Sequence, residues 1–362
     1  MKLIQVDYSN RVYGLDFFRA TAIILVVLGH GSFLAGNLFS FLPSIPLIDG
    51  VELFFVLSGF LIGSMLIKNI EKTEKFGISE LFTFLKRRWF RTLPNYYLIL
   101  GVNVLLVKFA IISGDLKQCT WEFLFFLQNF ATGFTDFFWE SWSLSIEEWF
   151  YIFLPVFLFI FLRFIPKRTA ILLSILLLLI VPVIYRISIS EQEVDGFWWD
   201  VHFRKVVLTR LDAIGYGVLM AYVKFYHGSF FSKARNWLFL LGLALIYLNI
   251  YLPKQPNDFY SKTFYFCVTS FGASLLLAKA DSIKNFRFQA IGRFVTYISV
   301  ISYAMYLVNL SLVASVFAKN FIPDRRLENA LYYSLFWFFT LFISTLIYKF
   351  YEKPITDLRD KL

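Results

Sequence analysis

Leu15-Asp16-Phe17-Phe18-Arg19-Ala20-Thr21-Ala22-Ile23-Ile24-Leu25-Val26-Val27-Leu28-Gly29-His30 is the run that decides the fold. It continues to Gly36 without another charge, and about 20 mostly apolar residues are enough to cross a bilayer. As a helix, the eleven steps from Arg19 to His30 turn through roughly 1100°, about three turns plus 20°, and rise about 16 Å. The two ionisable groups therefore share one face. Such groups are costly inside a membrane and usually face the interior of a helical bundle. A cation near one end and an acid/base group further along predict a polar path through a membrane protein.

The composition points the same way. The 362 residues are 58% hydrophobic and only 17% charged, against about 45–50% apolar and 25% charged for soluble domains. The formal charge of +10 is read as the Lys and Arg of cytoplasmic loops rather than a nucleic-acid footprint, so no nucleic-acid partner is expected. Cys119 and Cys267 are too few for a disulfide framework and lack metal-ligand spacing, so no metal is expected. No P-loop, dinucleotide fingerprint or Gly-x-Ser-x-Gly elbow is present, which argues against a nucleotide-driven pump and an ordinary serine hydrolase. No cleavable signal peptide is evident.

Ten spans are expected, near 16–36, 48–68, 93–113, 143–165, 168–187, 206–226, 234–252, 262–280, 295–318 and 329–350. The piece 119–132 is amphipathic and reads as a re-entrant or interfacial helix. Alternate connections collect 23 Lys and Arg on one side and nine on the other, with Arg19, Lys108 and Arg210 inside spans. The positive-inside rule then puts both termini in the cytoplasm. The expected fold class is an all-α polytopic transmembrane bundle forming a single domain over residues 1–362. Arg19, Arg87, Arg88 and Arg91 fall towards the cytoplasm; His30, Glu52, Glu147 and Glu148 fall towards the outside. The outer segments combine Trp139, Trp142, Trp198 and Trp199 with Glu140, Asp195 and Asp200. That is a sugar-binding palette, and also what an interfacial aromatic belt looks like, which is the favoured reading.

Four constellations could carry chemistry. His30 is a general-base candidate, because a neutral imidazole accepts a hydroxyl proton near neutral pH. In Gly50-Val51-Glu52 through Ser58-Gly59 to Gly63, small residues let another helix or a slim ligand approach the backbone. Glu52 lies at the water interface or binds an acceptor. In Lys86-Arg87-Arg88-Trp89-Phe90-Arg91-Thr92-Leu93-Pro94, Arg88 and Arg91 share a helix face, and guanidinium groups suit phosphate. In Trp142-Ser143-Leu144-Ser145-Ile146-Glu147-Glu148-Trp149-Phe150-Tyr151, Glu147 and Tyr151 share a face. Glu147 would orient His30 as in triad logic, or Ser143 would cap a helix with acidic residues in its first turn. Arg210 and Asp212 read as an intra-bundle ion pair, as residues at the interface, or as catalytic. Tyr351-Glu352-Lys353-Pro354 reads as structural.

In this order, the motifs resemble the membrane acyltransferase family 3 over about residues 10–355. The carriers are Arg19-x10-His30, Phe54-Phe55-Val56-Leu57-Ser58-Gly59, Arg88-x-x-Arg91 with Pro94, Trp142-Ser143-Leu144 with Glu147, and Glu352-x-Pro354. Many members have a late Tyr-Leu-x-His; here Asn309 follows Tyr306-Leu307-Val308. The resemblance implies a multi-pass O-acyltransferase of the inner or plasma membrane. It would use acetyl-CoA as donor substrate, with no permanently bound cofactor, and take a glycan or glycolipid hydroxyl as acceptor, for example on O-antigen, exopolysaccharide or peptidoglycan. No extracytoplasmic hydrolase-like domain is expected. On this reading His30, Glu147 and Arg19 are catalytic. Arg87, Arg88, Arg91, Ser58 and Gly59 hold the CoA, and Glu52, Trp142 and Tyr151 meet the acceptor. Membrane lipid surrounds the bundle, and homo-oligomerisation stays open. A transporter or flippase of an anionic or lipid-linked substrate is the alternative, since a polar stripe also suits a conduction path.

Overall fold

The computed structural model describes residues 11–36, 38, 48–73, 76–134, 137–252, 254–286, 288–320 and 326–359. Both termini and most of the charge-free connection 37–47, which enter the orientation argument, lie outside the described residues. Among the described residues every regular element is helical. The long helices are α1 (Tyr13–His30), α2 (Gly50–Lys72), α3 (Ile78–Lys108), α4 (Ser141–Phe161), α5 (Lys167–Ser188), α6 (Val207–Tyr226), α7 (Arg235–Tyr251), α8 (Phe264–Ser282), α9 (Gln289–Val308) and α10 (Arg326–Ile347).

Each long helix overlaps an expected apolar run, yet not all of them qualify as spans. The stretches containing α1 to α5, α9 and α10 are long and apolar enough to cross a membrane. An eighth arises if Gly196–Arg204, bent 64° from α6, is taken with it. The shorter α7 has 17 residues. The Ser- and Thr-bearing α8 is long enough but not sufficiently apolar. The protein is therefore a multi-pass helical bundle with seven or eight candidate spans. Phe164, Ile184, Trp237 and Phe338 are exposed on its outer surface, as lipid-facing side chains are.

Three local expectations are corrected. The span expected from residue 93 belongs to a longer helix that starts at Ile78, where Glu80 Oε2 accepts the Gly77 N–H at 2.9 Å, so Arg87, Arg88 and Arg91 lie on the same helix as that span. Pro94 lies inside α3 without ending it, and next to it the Tyr303 hydroxyl donates to Thr92 O at 2.8 Å and the Tyr351 hydroxyl to Pro94 O at 3.3 Å. Segment 119–132 holds only a 3₁₀ turn, Trp121–Leu124, and irregular chain. Tertiary bonds override its amphipathic pattern: Asn129 Nδ2 donates to Trp142 O (2.9 Å) and Lys205 O (2.7 Å). Ser143, a possible cap, lies inside α4, which starts at Ser141.

Small residues and buried ion pairs hold the bundle together. The helices α2 and α6 cross so closely that a Cβ on Gly59 would stand 2.0 Å from Ile214 O, and one on Gly217 2.0 Å from Val56 O. Gly59 is therefore a packing residue and not part of a ligand path. Arg186 and Asp212 pair at 2.7 Å with both side chains fully buried. Arg210 pairs with Glu52, whose other oxygen accepts the Ser270 hydroxyl at 2.8 Å. These pairs tie α5 to α6 and α2 to α6 and α8.

Candidate active site

Two of the cavities among the described residues share two wall residues. The first, of about 90 Å³, is lined by Arg19, Ser58, Arg88, Arg91, Glu147 and Tyr151 among others. The second, of about 820 Å³, is lined by His30, Asp49, Trp139, Glu140, Trp142 and Arg204 among others. Val51 and Tyr306 belong to both walls.

The smaller cavity is built for an anion. Arg19 comes from α1, and Arg88 and Arg91 stand one turn apart on α3. Among the described residues none of the three is in an ion pair. Arg88 reaches only Met65 Sδ, at 3.7 Å, and its Nε has no partner. The carboxyl on this wall, Glu147, accepts from Tyr151 Oη at 2.8 Å and Ser58 Oγ at 3.1 Å. Three guanidinium groups facing one carboxyl leave a net positive wall, suited to bidentate contact with phosphate.

The larger cavity is built around His30, the last residue of α1. Its Nδ1 lies 2.5 Å from Asn309 Oδ1. Asn309 Nδ2 donates to Met305 O (2.8 Å) and Tyr306 O (2.9 Å), so Oδ1 is the acceptor end of the amide. The network therefore assigns the proton to Nδ1 and the lone pair to Nε2. Asn309 opens a wide π-turn, Asn309–Ala314, that follows α9; such turns recur at functional sites.

A charge cluster rims this cavity. Arg204 binds Asp49 and, at 2.7 Å, Asp200, while Lys205 pairs with Asp200 at 2.5 Å. The Arg204 guanidinium lies 5.0 Å over the Trp142 ring and the Lys205 ammonium 4.2 Å over Trp139. Burial acts to raise the Asp49 carboxyl, but Arg204 and the Val51 N–H more than offset it and hold it below its usual value. Glu140 is 1% exposed, and burial pushes its carboxyl up to about 7 despite a bond from the Ser311 hydroxyl.

Tyr306 stands between the two cavities. Its hydroxyl lies 2.6 Å from Ser143 Oγ and donates to Glu140 O at 3.1 Å, and its ring meets Phe54 edge-on at 6.3 Å.

Comparison with known proteins selects among the chemistries such a site could perform. The sequence profile of the acyltransferase 3 family, described as an acyltransferase domain, matches residues 12–349. The chain belongs to the acyltransferase 3 family. It is 28% identical over 379 residues to the Staphylococcus aureus (strain COL) protein named "Putative O-acetyltransferase SACOL0978", covering 94% of this chain and 56% of that protein. It is 30% identical over 242 residues to "O-acetyltransferase OatA" of Staphylococcus aureus (strain NCTC 8325 / PS 47), covering 61% of this chain and 36% of that protein. The chain thus spans just over half the length of the first of these relatives. No solved structure matches it.

In this acyltransferase 3 member the motif residues divide between the two cavities. Arg19, Ser58, Arg88, Arg91, Glu147 and Tyr151 line the arginine cavity; His30 and Trp142 line the other. Several expected roles are corrected. Glu147 does not orient His30: Ser58 and Tyr151 hold it on the arginine side, and Asn309 takes the position at the imidazole. Tyr151, expected at the acceptor, lies on the arginine side with it. Glu52 does not face an acceptor, because Arg210 and Ser270 occupy both of its oxygens. Arg87 points into a separate cavity with Asn69, Lys72 and Thr73. Glu352, read as structural from the sequence and so not among these corrections, accepts from Asn95 Nδ2 at 2.7 Å.

Sequence reasoning gave no role to Tyr306, Asp49 or Arg204, placed Glu140 only among the outer carboxylates, and noted Asn309 only where many family members have a histidine. Asn309 was visible as an amide in an apolar run, and Glu140 as an acid between two tryptophans. Neither pattern names its partner.

Proposed function

We propose that this chain transfers an acyl group, most simply acetyl, from cytosolic acyl-CoA to a hydroxyl of an extracytoplasmic glycan. The observation that carries this reading is the shared wall at Val51 and Tyr306, with free guanidinium groups on one side and His30 on the other. The CoA phosphates would meet Arg19, Arg88 and Arg91. The narrow pantetheine arm would pass Ser58 and displace the Tyr306 ring, bringing the thioester to His30. The acceptor would enter the larger cavity, where Trp139 and Trp142 offer faces for a sugar ring.

The chemistry then needs one base. His30 Nε2 takes the proton of the acceptor hydroxyl, whose oxygen attacks the thioester carbonyl. The C–S bond breaks and the imidazolium returns the proton to the departing thiolate. A two-step variant, in which His30 carries the acyl group covalently, uses the same atoms. Asn309 supplies the orienting bond in place of a carboxylate. Ten spans, with both termini cytoplasmic and the membrane an inner or plasma membrane, would set the arginine cavity towards the CoA pool. The names of the Staphylococcus aureus relatives support acetyl as the group and oxygen as the acceptor atom.

The test is reconstitution in vesicles with acetyl-CoA outside the arginine end and a soluble glycan on the opposite side. Wild type should acetylate the glycan, and His30→Ala should not, while still binding CoA. Activity surviving in His30→Ala would remove His30 as base. Net movement of substrate without acyl transfer would favour a transporter.

A further inference from the structure

We propose that Glu140 is a positioning residue that holds Asn309, and through it His30, in the reactive arrangement; this rests on the reading of His30 as the base. Glu140 precedes α4, on a different element from the groups it serves. Its Oε2 accepts the Ser311 hydroxyl at 2.6 Å, and its Oε1 accepts the Ser311 backbone N–H at 3.3 Å. Its own carbonyl accepts the Tyr306 hydroxyl at 3.1 Å. One residue therefore grips the chain on both sides of Asn309, at the end of α9 and inside the π-turn.

That grip has a geometric purpose. Along a helix each residue is rotated about 100° from the last, so a one-residue slip of the π-turn into ordinary helical register would swing a side chain away from its partner. The bond from His30 Nδ1 to Asn309 spans only 2.5 Å and does not survive such a swing. Without it the imidazole is free to exchange tautomers, and its Nε2 lone pair no longer points dependably into the cavity. Asp49, Asp200, Arg204 and Lys205 also face this cavity. Among the described residues they pair with one another and none bonds to the π-turn, so the Glu140 carboxyl is the ionisable group that holds it.

Carbethoxylation of His30 by diethyl pyrocarbonate tests the proposal without requiring acyl transfer. The background is His202→Gln/His227→Gln, which leaves one reactive imidazole. Glu140→Ala should slow His30 modification about tenfold, the scale on which orienting partners of a functional histidine act. Asn309→Ala should slow it equally, and the double variant no further, because both act on one bond. Glu140→Gln, which keeps an acceptor for the Ser311 N–H, should react as the parent does. Ser311→Ala, a milder change in case Glu140→Ala does not fold, should be slowed in the same direction. A parent rate in Ser311→Ala or in folded Glu140→Ala would overturn the proposal, as would effects that multiply in the double variant. Absence of acyl transfer by wild type would overturn the functional reading instead and leave these rates readable.

Discussion

His30 Nδ1 and Asn309 Oδ1 meet at 2.5 Å across 279 residues of chain, and this single bond sets the tautomer of the imidazole. Asn309→Ala is expected to lower kcat for acyl transfer by about 10–100-fold with little change in KM for acetyl-CoA, since the arginine cavity is untouched. Steady-state kinetics in detergent check this; an unchanged kcat would show that the bond is not used.

The unpaired guanidinium groups predict a donor-side effect of the opposite kind. Each of Arg19→Ala, Arg88→Ala and Arg91→Ala should remove a charge-assisted contact worth about 1.5–3 kcal/mol, weakening CoA binding by roughly 10–100-fold. Arg87→Ala, at a residue that lines a separate cavity, should leave affinity within experimental error. Lysine at 88 or 91 should restore only part of the loss, because an ammonium lacks the bidentate fork. Calorimetric titration with CoA reads all of these.

Tyr306→Ala should merge the two cavities. Removing the ring from the shared wall admits water to the thioester, so acetyl-CoA hydrolysis should rise relative to transfer. Tyr306→Phe keeps the ring and should keep the ratio. Comparing thiol release with acetylated product measures it, and an unchanged ratio in Tyr306→Ala would mean that the thioester does not cross at this wall.

The buried Arg210–Glu52 pair predicts a stability effect. Glu52→Gln strands a fully buried guanidinium and should cost about 3–5 kcal/mol, read as a lower unfolding midpoint in detergent. Gly59→Ala should also destabilise, since its added carbon falls 2.0 Å from Ile214 O. Neither change should alter CoA affinity in the protein that remains folded.

Glu140 predicts a pH dependence. Burial raises its carboxyl from 4.5 to about 7, so the folded protein holds this proton more tightly than the unfolded chain does. The stability it contributes is full below about pH 4.5 and is lost as pH rises through about 7. The unfolding midpoint of wild type should therefore fall more steeply across that window than that of Glu140→Gln. Parallel slopes in thermal melts would show that Glu140 does not titrate there.

Much of the site was legible as residue types. Arg19, Ser58, Arg88 and Arg91 line one cavity and His30 the other, where the sequence reading placed all five along one route. The error concerning Glu147 shows the limit. Helical spacing correctly placed Glu147 and Tyr151 on one face, but it carries no information about which neighbouring helix that face meets. The Arg210–Glu52 pair was missed for the same reason: the partners lie 158 residues apart, and either could have faced water.

The sequence by itself determined a multi-pass helical membrane protein, because apolar runs of that length have few other stable states and their backbone polar groups must be satisfied internally. It also determined the family, since its motifs are local words in fixed order. The tertiary structure decided which polar side chains belong together. Packing of Gly59 against Ile214 fixes how α2 meets α6, the register of α3 puts Arg88 and Arg91 on the wall of the smaller cavity, and the π-turn after α9 brings Asn309 to His30. Each depends on contacts between distant segments, and local periodicity does not record those contacts.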